Sequence, residues 1–138
     1  MISPESPLFT IIATAVREAF PDSYVAGEYV SQPPRFPAVN IVEMDNFPVR
    51  STMTNVSIEN TVQVVYEVNV YSNLTKGKKA ECKAIAALVD TEFMKLGFKR
   101  LVLNPIQNMN DATIYRMYAR YRGEVAVDAD GNYLVYRR

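Results

Sequence analysis

The sequence predicts an α+β fold, and three stretches carry that prediction. Residues 61–71 read Thr-Val-Gln-Val-Val-Tyr-Glu-Val-Asn-Val-Tyr, which puts Val62, Val64, Tyr66, Val68 and Val70 on one face of a strand and Thr61, Gln63, Glu67 and Asn69 on the other. An amphipathic helical pattern follows and stops at Gly97. A second long alternation over residues 113–127 turns Tyr115, Met117, Ala119, Tyr121 and Val125 one way and Arg116, Tyr118, Arg120, Arg122 and Glu124 the other.

The remaining elements follow in chain order. Ser6-Pro7 reads as a helix start, with Ser6 as N-cap and Pro7 at the first helical position, where a missing N–H costs nothing. Leu8, Ile12, Ala15, Val16, Ala19 and Phe20 then recur at helical steps until Pro21 stops the run. Residues 24–30 form a short strand candidate weakened by Gly27, and Pro33, Pro34 and Pro37 enforce an extended link. Residues 38–44 are apolar on both faces, Val39 and Ile41 against Val42 and Met44, as expected of a central strand covered on two sides.

From residue 45 to about 58 the chain is polar and without period, a length that in a compact domain is usually functional or disordered. Phe47, Val49, Met53 and Val56 give it apolar anchors. Two readings stand: a loop or extended hairpin arm that orders against a partner subunit, and a merely mobile loop.

The second helix is expected from Thr75 or Lys76 to Leu96, with Ile85, Leu88, Val89, Phe93 and Leu96 on its core face and Ala80 or Cys82 joining at the start. Gly97 occupies the position of a left-handed C′ residue, and Phe98 is placed to pack back on Phe93 in a Schellman ending. Lys76, Lys78, Lys79 and Lys83 crowd the first turns, where the helix dipole disfavours cations, so they require solvent or an anionic neighbour. Residues 100–109 are strand-like, with Pro105 marking an edge or bulge. Asp128 to Asn132 signals a turn into a closing hairpin strand at residues 133–136.

Composition limits the function. At 138 residues the chain fits one domain, residues 1–138, able to bury about two thirds of its unfolded surface. No apolar run reaches the roughly 20 residues of a membrane span, and the N-terminus lacks the basic start of a signal peptide, so cytoplasmic synthesis and no membrane partner are expected. Net charge is zero but uneven: residues 1–75 carry three basic and eight acidic groups, residues 76–138 twelve basic and seven acidic. Either the halves pair internally, or patches of opposite sign suit head-to-tail association in a ring.

The sequence has no histidine and one cysteine, which removes the commonest general base and any Cys-rich zinc site. Its carboxylates are scattered, with no catalytic pair set by local spacing, and no phosphate-binding glycine motif is present. No catalytic residue, cofactor or metal is therefore expected. The Arg116, Arg120 and Arg122 ladder with Tyr118 invites comparison with nucleic-acid-binding sheets, but zero net charge and the candidate facing residue Glu67 weigh against it. A solvated or subunit-facing sheet surface is the plainer reading, and a lumen passing DNA by nonspecific charge is another.

The order of elements, together with FPAVNIVEMDN, NTVQVVYEVNVYSN, GKKAECKAIAALVDTEFMKLGF and TIYRMYARYRGEV, resembles the tail terminator (tail completion) proteins of long-tailed bacteriophages and related prophages. The resemblance implies an α+β subunit: a mostly antiparallel or mixed sheet of four to six strands with two helices packed on one face. It implies a structural virion protein, assembled in the host cytoplasm, with no enzymatic turnover and no cofactor. Its partners would be copies of itself in a hexameric ring, the tail tube protein and the head-tail connector, with DNA met only in the lumen. Subunit-interface or lumen positions would then be Phe47, Arg50, Met53, Glu67, Lys76, Lys79, Lys83, Arg116, Arg120 and Arg122. Three alternatives stand beside it: a head completion or stopper protein of the neck, a small nucleic-acid-binding module, and a small hydrolase built on converging carboxylates.

Overall fold

The computed structural model describes residues 1–30, 32–49, 61–107, 111–127 and 132–136. In chain order the elements are α1 (Glu5–Ala19), β1 (Tyr24–Ala26), β2 (Ala38–Pro48), β3 (Thr61–Ser72), α2 (Lys78–Lys95), β4 (Lys99–Gln107), β5 (Tyr115–Val127) and β6 (Tyr133–Tyr136). The strands form one mixed sheet in the order β1-β2-β3-β5-β4, with β6 pairing the far end of β5. β1 runs parallel to β2, and every other pairing is antiparallel. The expected α+β class holds.

The two alternating stretches meet as neighbours at the centre of the sheet. Their register sets Val62 against Val125, Tyr66 against Tyr121, Val68 against Ala119 and Val70 against Met117. All eight side chains are buried beneath Leu8, Ile12 and Val16 of α1 and Cys82, Ile85, Val89 and Phe93 of α2. Full burial of each large apolar side chain contributes about 1.5–3 kcal/mol before chain entropy is counted. Phe93 stacks on Tyr121 at 4.2 Å between ring centroids and meets Phe98 edge-on at 5.4 Å. Both helices thus lie on one face, and among the described residues the other face carries none.

The helix ends show what local chemistry decides. α2 closes as expected: Gly97 has φ +85°, its N–H donates to the Met94 carbonyl at 2.9 Å, and the Phe98 N–H donates to the Phe93 carbonyl at 3.0 Å. Its start differs. Gly77, at φ +84°, precedes the helix, so Lys76 lies outside it and the first helical residue is Lys78. Of the two candidates for its first core contact, Cys82 is buried and Ala80 exposed. α1 begins before the expected Ser6 cap, because the Pro4 carbonyl already accepts the Leu8 N–H at 3.0 Å. Pro7 still falls in the first turn, where an N–H has no helical partner.

The strands depart from expectation in three places. β1 ends before Gly27 rather than reaching Val30. β2 is covered on both faces only over Ala38, Val39, Asn40 and Ile41, and Met44 is exposed. The strand continues to Pro48, so residues 45–48 pair with β3 instead of opening a loop at residue 45. A bulge between Glu43 and Asp45 explains the miss: it inverts the alternation, so the continuous strand reads as aperiodic. The remainder of that expected loop, residues 50–58, lies outside the described residues. β4 is the edge strand that Pro105 indicated.

Candidate functional site

The helix-free face is built by the polar half of each alternation. Across β3 and β5 it sets Tyr71 against Arg116, Asn69 against Tyr118, Glu67 against Arg120, Val65 against Arg122 and Gln63 against Glu124. On the far side of β5, Val102 opposes Arg120 and Lys99 opposes Arg122. The expected facing of Glu67 and the arginine ladder is present, and the register sets Glu67 directly across from Arg120. The two charge-biased halves of the chain therefore lie side by side in this one sheet and meet along the β3–β5 seam.

The three arginines differ in their roles. Arg116 is half-buried, donating from Nε and Nη2 to Asn69 Oδ1 at 3.1 and 2.8 Å, with its guanidinium 5.4 Å from the Tyr71 ring centroid. Asn69 Nδ2 in turn donates to Asn40 Oδ1 at 2.9 Å, and both asparagines are buried. Burial raises the Tyr71 phenol above its ordinary value, opposed by Arg116 and by a hydrogen bond with Asn40. This connected network binds three strands together. Arg120 and Arg122, by contrast, project into solvent.

Phe47 lies on the same face, opposite Gln63 at the far end of β2, and is 46% exposed. Arg50 and Met53 lie outside the described residues. Lys76, Lys79 and Lys83 are exposed around the start of α2, in the helical layer on the other side of the sheet, so the fold does not join them to the arginine ladder. Glu81 in that first turn accepts a 2.7 Å hydrogen bond from Ser72 Oγ and supplies the negative charge the helix N-terminus favours.

Sequence reasoning missed a second arrangement. Glu5 at the start of α1 and Glu43 of β2, far apart in the chain, come within hydrogen-bonding reach beside a cleft of about 270 Å³. Ser3, Glu5, Ser6, Phe9, Gly27, Ile41 and Tyr66 line it. Burial first, then the hydrogen bond and charge of Glu5, push the Glu43 carboxyl up to about 7, while Asn46 opposes the shift. Asn46 Nδ2 donates to Glu43 Oε1 at 3.2 Å and to the Ile2 carbonyl at 3.0 Å. Tyr66 is 1% exposed, and its phenolic oxygen is buried with no hydrogen-bond partner. One signal was legible: Glu43 occupies the place in the Val39, Ile41, Glu43 alternation where an apolar residue belongs.

No family model matches this sequence, and no curated protein matches it either. Among the described residues, no group of three or more His, Cys, Asp or Glu is placed to hold a metal ion. No helix among them is long and apolar enough to cross a membrane.

Proposed function

We propose that this chain is a structural subunit of a bacteriophage virion, assembling in the host cytoplasm into an oligomeric ring that caps the tail tube and joins it to the head connector. The observation that carries the reading is the helix-free sheet face, where Arg120 and Arg122 project beside Glu67 and Phe47 while Arg116 is held in the sheet's own network. A face with exposed cations, an apolar end and a rigid base suits contact with a neighbouring subunit or with the phosphates of DNA in a lumen. The sequence resemblance to tail terminators supports the same reading. A stopper protein of the neck would use such a face equally well and would differ in binding the portal side rather than the tube.

The test is Arg120→Glu with Arg122→Glu. Ring formation measured by solution mass, and capping of purified tail tubes seen by electron microscopy, are expected to fail while circular dichroism and the thermal midpoint stay unchanged. Unaltered assembly would overturn the reading. Capture of portal-side complexes in place of tubes would favour the stopper.

The hydrolase alternative gains one observation, the convergence of Glu5 and Glu43. Carboxyls in hydrogen-bond reach of one another are closer than the roughly 5–9.5 Å that glycoside hydrolysis places between its acid and its base or nucleophile, which argues against that form of it.

A further inference from the structure

The cleft beside Glu5 and Glu43 combines features that a purely structural crevice does not need. Glu5 of α1 lines the cleft, and the Glu43 carboxyl of β2 comes within hydrogen-bonding reach of Glu5. A phenolic oxygen that the fold leaves without a partner belongs to Tyr66, a cleft-lining residue on β3. Leaving a buried hydroxyl unsatisfied is costly, and such groups in folded proteins call for an explanation. Phe9 and Ile41 give the same cleft apolar walls.

We propose that this cleft binds the ammonium head of a primary alkylamine, with Glu5, Glu43 and Tyr66 Oη as its three acceptors and Phe9 and Ile41 against the alkyl stem. An ammonium carries three N–H donors and no acceptor, which matches two carboxylates and one phenolic oxygen. The neighbours that set the Glu43 carboxyl are burial, Glu5 and Asn46, and no lysine or arginine is among them. Tyr66 on β3 and Tyr133 on β6 are further titratable groups in this neighbourhood. Below about pH 7 a proton therefore holds the two carboxyls together in the free protein. The amine enters as R–NH3⁺, the Glu43 proton leaves to solvent, and both carboxylates then share the new cation.

The same head group has two sources: a free amine, or the lysine side chain of another copy of the chain. The inference does not rest on the ring reading, since either source satisfies the site.

The experiment titrates the 138-residue chain with n-butylammonium chloride, following backbone amide NMR shifts, with n-butanol as the neutral control. Saturable shifts at Gly27, Ile41 and Tyr66 are expected with the cation and absent with the alcohol. Calorimetry at pH 6 in two buffers of different ionisation enthalpy should report close to one proton released per amine bound. Glu43→Gln should weaken binding at least about tenfold, the loss expected when a charged hydrogen-bond partner is removed, while the NMR spectrum remains that of the folded protein. Tyr66→Phe should weaken it less and leave proton release intact. If the same amides shift with protein concentration alone and butylammonium reverses them, the source is a lysine of a second copy; if they do not, it is a free amine. No saturable shift, equal response to butanol, or Glu43→Gln binding as tightly as the parent would overturn the proposal.

Discussion

A Cβ added to Gly123 of β5 would lie 2.8 Å from the ring of Phe98. Phe98 cannot give way easily, because it is 4% exposed and packs edge-on against both Tyr66 and Phe93. The glycine thus admits the aromatic residue that completes the α2 ending. Gly123→Ala is expected to lower stability by about 1–3 kcal/mol, the range for overpacking a filled core, as read by urea unfolding. Adding Phe98→Leu should recover part of the loss; a double variant weaker than the sum of the singles would show that the clash is elsewhere.

Arg116 and Arg120 stand four residues apart on one face of β5 and are expected to behave differently. Arg116→Ala deprives the buried Asn69 Oδ1 of both donors and uncovers Tyr71, so a loss of about 1–3 kcal/mol follows. Arg120 is exposed, and Arg120→Ala should stay within about 0.5 kcal/mol of the parent. Urea midpoints for the two variants decide the matter. Equal effects would mean that the Arg116 network contributes nothing to the fold.

The legible parts of this chain were those where one local pattern is uninterrupted. β3 and β5 alternate without a break over the register that pairs them, and Gly97 marks a helix ending that backbone sterics alone demand. β2 was half legible, because its bulge inverts the alternation after Glu43 and makes Asn46 and Phe47 look like loop. Of the candidate site, the shared face of Glu67 and the arginine ladder followed from strand parity once the two strands were neighbours, whereas the pairing of Glu67 with Arg120 is set by the register. The inward turn of Arg116 did not, since it depends on Asn69 and Asn40 from two other strands. Glu5 and Glu43 meet only through packing of α1 on the sheet, which no spacing rule encodes.

Cys82 supplies a check on the core. It is fully buried in α2, its Sγ donates weakly to the Tyr115 carbonyl at 3.5 Å, and burial pushes the thiol up to about 12. Almost no thiolate exists at pH 8, and reagent has no path to it. Labelling by a disulfide-exchange reagent should therefore be absent in the native protein and reach one thiol per chain in urea. Rapid native labelling would contradict the packing of α2 on β3 and β5.

Glu43 predicts how stability depends on pH. Its carboxyl is raised from 4.5 to about 7 by burial and by Glu5, so between those values the folded chain holds a proton that the unfolded chain releases. The stabilising contribution is complete below pH 4.5 and is lost as the pH climbs through about 7. Above that, the ionised pair opposes folding. Glu43→Gln retains a donor toward Glu5 and removes the charge. The cleft is open to water and Glu5 is exposed, so screening reduces the effect well below the full shift. The variant is expected to be more stable than the parent by about 1–2 kcal/mol at pH 8 and equal to it at pH 4. Urea unfolding at pH 4, 6 and 8 measures the difference directly. Parallel stability curves for the two proteins would show that Glu43 ionises as an ordinary surface carboxylate and that the pair does not form.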